Sequence, residues 1–302
     1  MKATLALVAA ALLWAGNYVV GGAAVHAMDP VALTWFRWLL AALPLLLLAQ
    51  LIERPRWRPV LVEWPRLLLL AVLGVAGYTL FLYSALEFTT PLSASLINAA
   101  NPAVMVVLAA VLLRERIGVA AAAGLVLGLV GVLLVITDGR IASILSTTPN
   151  EGDLLMVGAI VVWSLYTIAG RSLAAPPIAA TGVQAAMTAV LLAPVALLTG
   201  AHWPTQAPTV EALLFIALLP SVGAYALWNL AAKHVPAGRA GLSLNLITVF
   251  TAIISVAMGA RLTMPEIAGG LLVFAGVALG SLAPRRRRIA EPDLEQEPSG
   301  AA

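Results

Sequence analysis

Long apolar runs, parted by short clusters of charge, constrain this chain more than any other feature of it. A helix needs roughly 20 apolar residues to cross the hydrocarbon of a bilayer. Ten such segments are read, at Thr4–Val25, Pro30–Leu51, Arg66–Leu86, Leu92–Leu113, Ile117–Thr137, Gly152–Ser172, Ile178–Leu198, Thr209–Ala232, Ala237–Gly259 and Pro265–Ala283. Composition agrees: 62% of residues are hydrophobic and 10% charged, where soluble domains carry about 25% charge. A soluble enzyme, a disordered chain and a nucleic-acid binder are excluded, and zero cysteines exclude a disulfide-stapled secreted domain. The expected fold class is an all-α polytopic membrane protein whose principal partner is the lipid bilayer.

Turn chemistry marks the connections: Asp29-Pro30, Thr90-Pro91, Asp138-Gly139, Pro176-Pro177, Trp203-Pro204 and Met264-Pro265. None is long enough for a second domain. Residues 284–302 are basic, then acidic, and read as a disordered cytoplasmic tail. Lys2 before an apolar run imitates a secretory signal, but the run is too long and carries Trp14, Asn17 and Tyr18. It is read as the first span. With the N-terminus inside, the inner side holds 14 basic residues: Lys2, Arg54, Arg56, Arg58, Arg66, Arg114, Arg116, Arg171, Lys233, Arg239 and Arg285 to Arg288. The outer side holds 2, Arg140 and Arg261. That asymmetry places both termini in the cytoplasm.

The two halves repeat. Ala11-Leu-Leu-Trp14-Ala-Gly-Asn17-Tyr18 aligns with Ile160-Val-Val-Trp163-Ser-Leu-Tyr166-Thr167 at an offset of 149. Tyr78 and Tyr83 sit near Tyr225 and Asn229 in register, and Gly124 and Gly131 match Gly269 or Gly270 and Gly276. Five spans per half is an odd number, so the second copy enters the membrane from the opposite side. Residues 1–140 form the first five-helix repeat, 141–151 an outer linker, and 152–283 the second repeat. Such pairs work by alternating access, with the site at the repeat interface near mid-membrane. Here it is expected between the first, third, fourth, sixth, eighth and ninth spans.

Three motifs then carry a resemblance: Leu13-Trp14-Ala-Gly-Asn17, Ala99-Ala-Asn101-Pro102, and Leu113-Arg114-Glu115-Arg116-Ile117 leading into Gly124/Gly128/Gly131. In order and spacing the chain resembles the drug/metabolite transporter superfamily, in its ten-helix EamA-type branch. Within that branch it looks most like YddG-type exporters of aromatic and other amino acids. Arg261 departs from the pattern, standing where the repeat often has an acidic residue. The resemblance implies export or exchange of small metabolites across a bacterial inner membrane.

Polar groups in apolar spans are costly and therefore candidates for function. Asn17, Asn98, Asn101, Asn229 and Asn245 lie in segments, and an amide supplies both the donor and the acceptor that a zwitterion needs. Interhelical hydrogen bonding is the competing role. Pro102 should free the carbonyl four residues back, that of Asn98. Trp14, Tyr78, Tyr83, Trp163, Tyr166, Tyr225 and Trp228 fall away from segment ends and suit an aromatic-lined cavity, or a packed core. Trp57, Trp64 and Trp203 read as interface residues. Arg37, about seven residues or roughly 10 Å from the outer end, has three fates open: snorkelling, pairing with Glu87 or Asp29, or gating and meeting a substrate carboxylate. The first two are favoured.

Glu87, Glu115, Glu211 and Glu266 stand at segment ends, as do His26, His202 and His234. Proton-coupled carriers usually keep a buried carboxylate or histidine relay, so transport without obligatory proton coupling is expected. No metal set, catalytic constellation or selectivity loop appears, which argues against an enzyme or a channel. No cofactor is expected, and a monomer suffices. The expected function is alternating-access export of a small-molecule substrate, aromatic and other neutral amino acids. A broad-specificity drug exporter, proton-coupled or not, is the alternative that aromatic walls serve equally well.

Overall fold

The computed structural model describes residues 2–112, 114, 118–140, 150–232, 234–235 and 243–281. Most of the Leu113–Ile117 motif, the linker 141–149, Lys233, Arg239, the start of the ninth segment and the tail with Arg285 to Arg288 lie outside these residues. Eight helices are long and apolar enough to span a membrane: α1 Lys2–Ala24, α2 Pro30–Ile52, α3 Trp64–Leu86, α4 Pro91–Leu112, α5 Val119–Ile136, α6 Glu151–Gly170, α7 Pro177–Leu198 and α8 Ala207–Ala231. Two shorter apolar helices, α9 Leu246–Ala257 and α10 Met264–Ser281, fall where the ninth and tenth segments were expected. No strand occurs among the described residues.

The turn residues act as caps. Asp29 accepts from the amides of Val31 and Ala32 at 2.8 and 3.2 Å, with Pro30 opening α2. Thr90 and Asn150 likewise start α4 and α6. A reciprocal box starts α10: the Thr263 amide donates to Glu266 at 2.8 Å, and the Glu266 amide to Thr263 Oγ1 at 3.3 Å. The start of α7 is capped from another helix's end, Glu53 accepting from the Ile178 and Ala179 amides at 3.2 and 2.9 Å. The two ends of the bundle are named here for Asp29 and Lys2.

Small residues set the closest approaches. α5 and α10 meet backbone to backbone: a Cβ on Gly124 would stand 2.4 Å from the Gly276 carbonyl oxygen, and one on Gly131 2.5 Å from that of Gly269. Around the bundle, Leu5, Leu43, Leu51, Val111 and Leu198 are exposed, which suits a surface solvated by lipid.

Two helices change pitch midway. α3 runs as a π-helix over Ala71–Gly77 and α8 over Leu219–Gly223, each just before a tyrosine, Tyr78 and Tyr225. α4 breaks at Ala100, whose amide turns to the Ile97 carbonyl at 3.1 Å. Such interruptions leave backbone carbonyls without their helical partners. Side chains from other helices take them: the Trp14 indole donates to Pro220 O at 3.2 Å, and Thr188 to Ala71 O at 3.5 Å.

Packing is uneven along the bundle. In α1 the buried positions concentrate in the half nearer Asp29, from Ala15 to Val19 with Gly21, Gly22 and Ala24. In α6 they run from Gly152 to Ile160, with Ser164 the last. The main core, with Leu33, Leu82, Tyr83, Ile97, Met156 and Leu213, closes the Asp29 half. Toward Lys2 the same helices carry mostly half-exposed residues.

Candidate functional site

A guanidinium without a carboxylate lies at the centre of the packed half. Arg37 is 3% exposed. Its Nε donates to Ser221 Oγ at 2.8 Å, and its Nη1 donates to Asn17 Oδ1 at 3.1 Å and Tyr83 OH at 2.5 Å. Tyr83 OH passes its own proton to Asn17 Oδ1 at 2.9 Å, and Ser221 donates to Ile216 O at 2.7 Å. The guanidinium also stands 4.7 Å from the centroid of the Trp38 ring. This corrects the expectation of snorkelling or an ion pair: among the described residues no carboxylate is in ion-pair range of Arg37. The reason is local. Asp29 is committed to capping α2, Glu87 is exposed at the bundle end, and three neighbouring helices offer neutral acceptors inside.

Beside this cluster, aromatic rings pair across the two halves. Trp14 of α1 packs edge-on to Tyr225 of α8 at 5.6 Å and tilted on Trp228 at 5.7 Å. Trp163 of α6 packs on Tyr78 of α3 at 4.9 Å and on Tyr166 at 5.1 Å. Each tryptophan thus reaches the tyrosine that follows the other half's π-helical segment. Gly74, inside the α3 segment, makes room: a Cβ there would fall 2.2 Å from the Tyr166 ring. Tyr78 and Tyr225 both lie within electrostatic range of Arg37, which joins the aromatic pairs to the polar cluster.

The amides divide between these surroundings. Asn98 accepts from Tyr78 OH at 3.3 Å, and that hydroxyl meets Tyr18 OH at 2.9 Å. Asn101, beside the α4 break, accepts from Ser164 Oγ of α6 at 3.0 Å. Asn245 immediately precedes α9, half-buried, and caps no amide with its side chain. The structure therefore groups Asn17, Arg37 and Tyr83, groups Tyr78, Asn98, Trp163 and Tyr166, and groups Trp14, Tyr225 and Trp228. Asn245 joins none of these by hydrogen bond or ring contact among the described residues. Tyr83 and Asn17 are buried within the Arg37 cluster, whereas Trp14, Tyr78, Trp163, Tyr166, Tyr225, Trp228, Asn98 and Asn229 are half-exposed.

Some participants escaped the sequence reading. Ser221, Ser164 and Tyr18 are too common in membrane helices to stand out singly. Asp153, 5% exposed in the first turn of α6, accepts from Thr89 Oγ1 at 2.7 Å. Its place near a segment end hid its burial. A separate groove of about 560 Å³, lined by Leu46, Trp57, Leu68, Met187 and Leu191 among others, is apolar and holds none of the residues above.

A helical bundle with interrupted helices, an aromatic and amide-bearing middle and an apolar exterior is the build of a secondary transporter. The chain matches the EamA-like transporter family over residues 1–137 and 150–282. It belongs to that family, and it is a multi-pass membrane transporter and not an enzyme. An uncharacterized transporter of Archaeoglobus fulgidus is 32% identical over 284 residues, 92% of this chain and 96% of that one. A probable amino-acid metabolite efflux pump of Salmonella typhimurium is 28% identical over 298 residues, 92% and 94% of the two chains. The aromatic amino acid exporter YddG of Ancylobacter novellus is 26% identical over 223 residues, 70% and 75%.

Proposed function

We propose that this protein exports amino acids, aromatic and other neutral ones, across the bacterial inner membrane by alternating access between residues 1–140 and 152–283. Both termini face the cytoplasm, as the distribution of arginine and lysine requires. One observation carries the reading: half-exposed aromatic pairs, Trp14 with Tyr225 and Trp163 with Tyr78, stand beside amide and hydroxyl groups in the middle of an apolar bundle. Flat apolar side chains stack on such rings, while Asn98 and Asn101 supply donors and acceptors to a polar head. Similarity to the Salmonella amino-acid metabolite efflux pump and the Ancylobacter aromatic amino acid exporter supports the substrate class. Closure at the Asp29 end and looser packing toward Lys2 support a cavity mouth on the cytoplasmic side, where an exporter loads.

Alternating access needs no proton when the substrate's own gradient drives it, and facilitated movement is the expected mode. Purified protein in liposomes tests both points. Saturable flux of phenylalanine, tryptophan or leucine, indifferent to an imposed pH gradient, is the expected result. Flux of a cationic dye alone would overturn the amino-acid reading, and flux that stops without a proton gradient would overturn facilitation.

A further inference from the structure

We infer that Arg37 is the seat for a carboxylate of the transported molecule, so that the carrier selects substrates bearing an anionic group and disfavours lipophilic cations. This rests on the amino-acid reading for its transport role, though not for its chemistry.

Burying a cation in a membrane span is costly, and such residues pair with one another, face water or serve function. Arg37 is buried without a counter-charge among the described residues. Its three hydrogen-bond partners, Ser221, Asn17 and Tyr83, are neutral, so they orient the guanidinium without cancelling its field. They engage Nε and Nη1. Nη2 has no partner among the described residues, and it is absent from the fully enclosed unsatisfied atoms, Thr34 Oγ1 and Gln184 Oε1. Each bidentate edge of the guanidinium, Nε with Nη2 and Nη1 with Nη2, thus has one nitrogen held by the protein and shares Nη2, which is left for a ligand. A substrate carboxylate at Nη2 leaves an aromatic or aliphatic side chain to lie against Trp14, Tyr225 or Trp163.

The arrangement has no counterpart at the position related to it by the repeat. Shifting α2 by 147 positions brings Pro30 onto Pro177 and Arg37 onto Gln184. Nine of the eleven buried positions of α2 then land on buried positions of α7. The same shift puts Gly74 under Ser221 and Leu230 under Tyr83, so around Gln184 the repeat-related positions carry neither the charge nor these two hydroxyls. One polar pole and one aromatic pole orient an amphipathic molecule in a single sense.

The test is equilibrium binding to the full-length protein in nanodiscs, followed by tryptophan fluorescence, with probes paired by charge. Phenylalanine is compared with phenylalaninamide, and indole-3-acetate with indole-3-acetamide. Wild-type protein should prefer each acid over its amide by about tenfold or more, the scale of a charge-assisted hydrogen bond. Arg37→Gln should erase the preference while leaving amide binding unchanged, and Arg37→Lys should keep part of it. Equal binding of acid and amide by the wild type would overturn the inference. So would an Arg37→Gln protein that loses acid and amide alike, the mark of a structural role, or chloride competing as well as the acids. If Arg37→Gln does not fold, the wild-type preference and its partial retention in Arg37→Lys decide. Arg37-dependent binding of indole-3-acetate without any of phenylalanine would leave the carboxylate seat standing and remove the amino-acid reading.

Discussion

Trp14 lies edge-on to Tyr225 with ring centroids 5.6 Å apart, and its indole nitrogen donates at 3.2 Å to the carbonyl of Pro220, in the π-helical segment that precedes that tyrosine. A residue from the first span is thereby tied to the interruption of a helix in the other half. Trp163 makes the corresponding ring pair with Tyr78, tilted by 51° at 4.9 Å. Truncating either ring should therefore do more than remove a wall of the cavity. In a double-mutant cycle, Trp14→Ala and Tyr225→Ala should couple by about 0.5–1.5 kcal/mol, the range for aromatic pairs. The cycle is read from reversible unfolding in detergent. Additive effects would mean that the rings pack independently.

Tyr83→Phe removes an acceptor from a buried cation without changing the shape of the core. Hydrogen bonds to charged groups are worth about 1.5–3 kcal/mol, so stability should fall by about 2 kcal/mol. Ser221→Ala removes the Nε partner and should cost a similar amount. Chemical denaturation of the purified protein checks both, and a loss below about 0.5 kcal/mol would mean that water replaces the hydroxyl.

Three glycines on α5 should behave differently although they look alike in sequence. Ala at Gly124 or Gly131 would drive a methyl to 2.4 or 2.5 Å from a carbonyl of α10, whereas at Gly128 it meets only the Ala103 Cβ at 3.6 Å. Overpacking costs about 1–3 kcal/mol. Gly124→Ala and Gly131→Ala should lower the melting temperature, and Gly128→Ala should leave it nearly unchanged.

Glu87 bears on proton coupling. Burial first, and then the charge of Asp29, hold its carboxyl above the ordinary range, while His26 pulls the other way. A carboxyl raised in the folded state costs stability once ionised. Its contribution is therefore most favourable at acid pH and is lost as pH rises from the ordinary carboxylate range through the raised value. Because the group is exposed, the effect is small. Glu87→Gln should flatten that dependence in thermal melts taken across pH, and should leave flux under a fixed substrate gradient unchanged. A flux that loses its response to pH in this variant would assign Glu87 to coupling.

Much of the architecture was legible along the chain. Apolar length located eight spans within a few residues, since a bilayer demands about 20 apolar positions whatever the neighbours are. Asp29-Pro30 and Thr90-Pro91 were legible as turns, and Asp29 and Thr90 cap the helices that follow because capping is a local interaction among residues close in sequence. The shared Trp14 and Trp163 register pointed to a repeat. Tertiary contact decided the rest. Arg37 was read as snorkelling or ion-paired because sequence shows how deep a residue lies, not what meets it there; Asn17, Tyr83 and Ser221 come from three other helices, up to 184 positions away. Asp153 looked terminal until Thr89 covered it. The π-helical turns of α3 and α8 were likewise invisible, since their freed carbonyls depend on donors carried by other helices. Segment length and caps follow from solvent and near neighbours, which the sequence contains; the partner of a buried charge follows from helix packing, which arises only when the bundle closes.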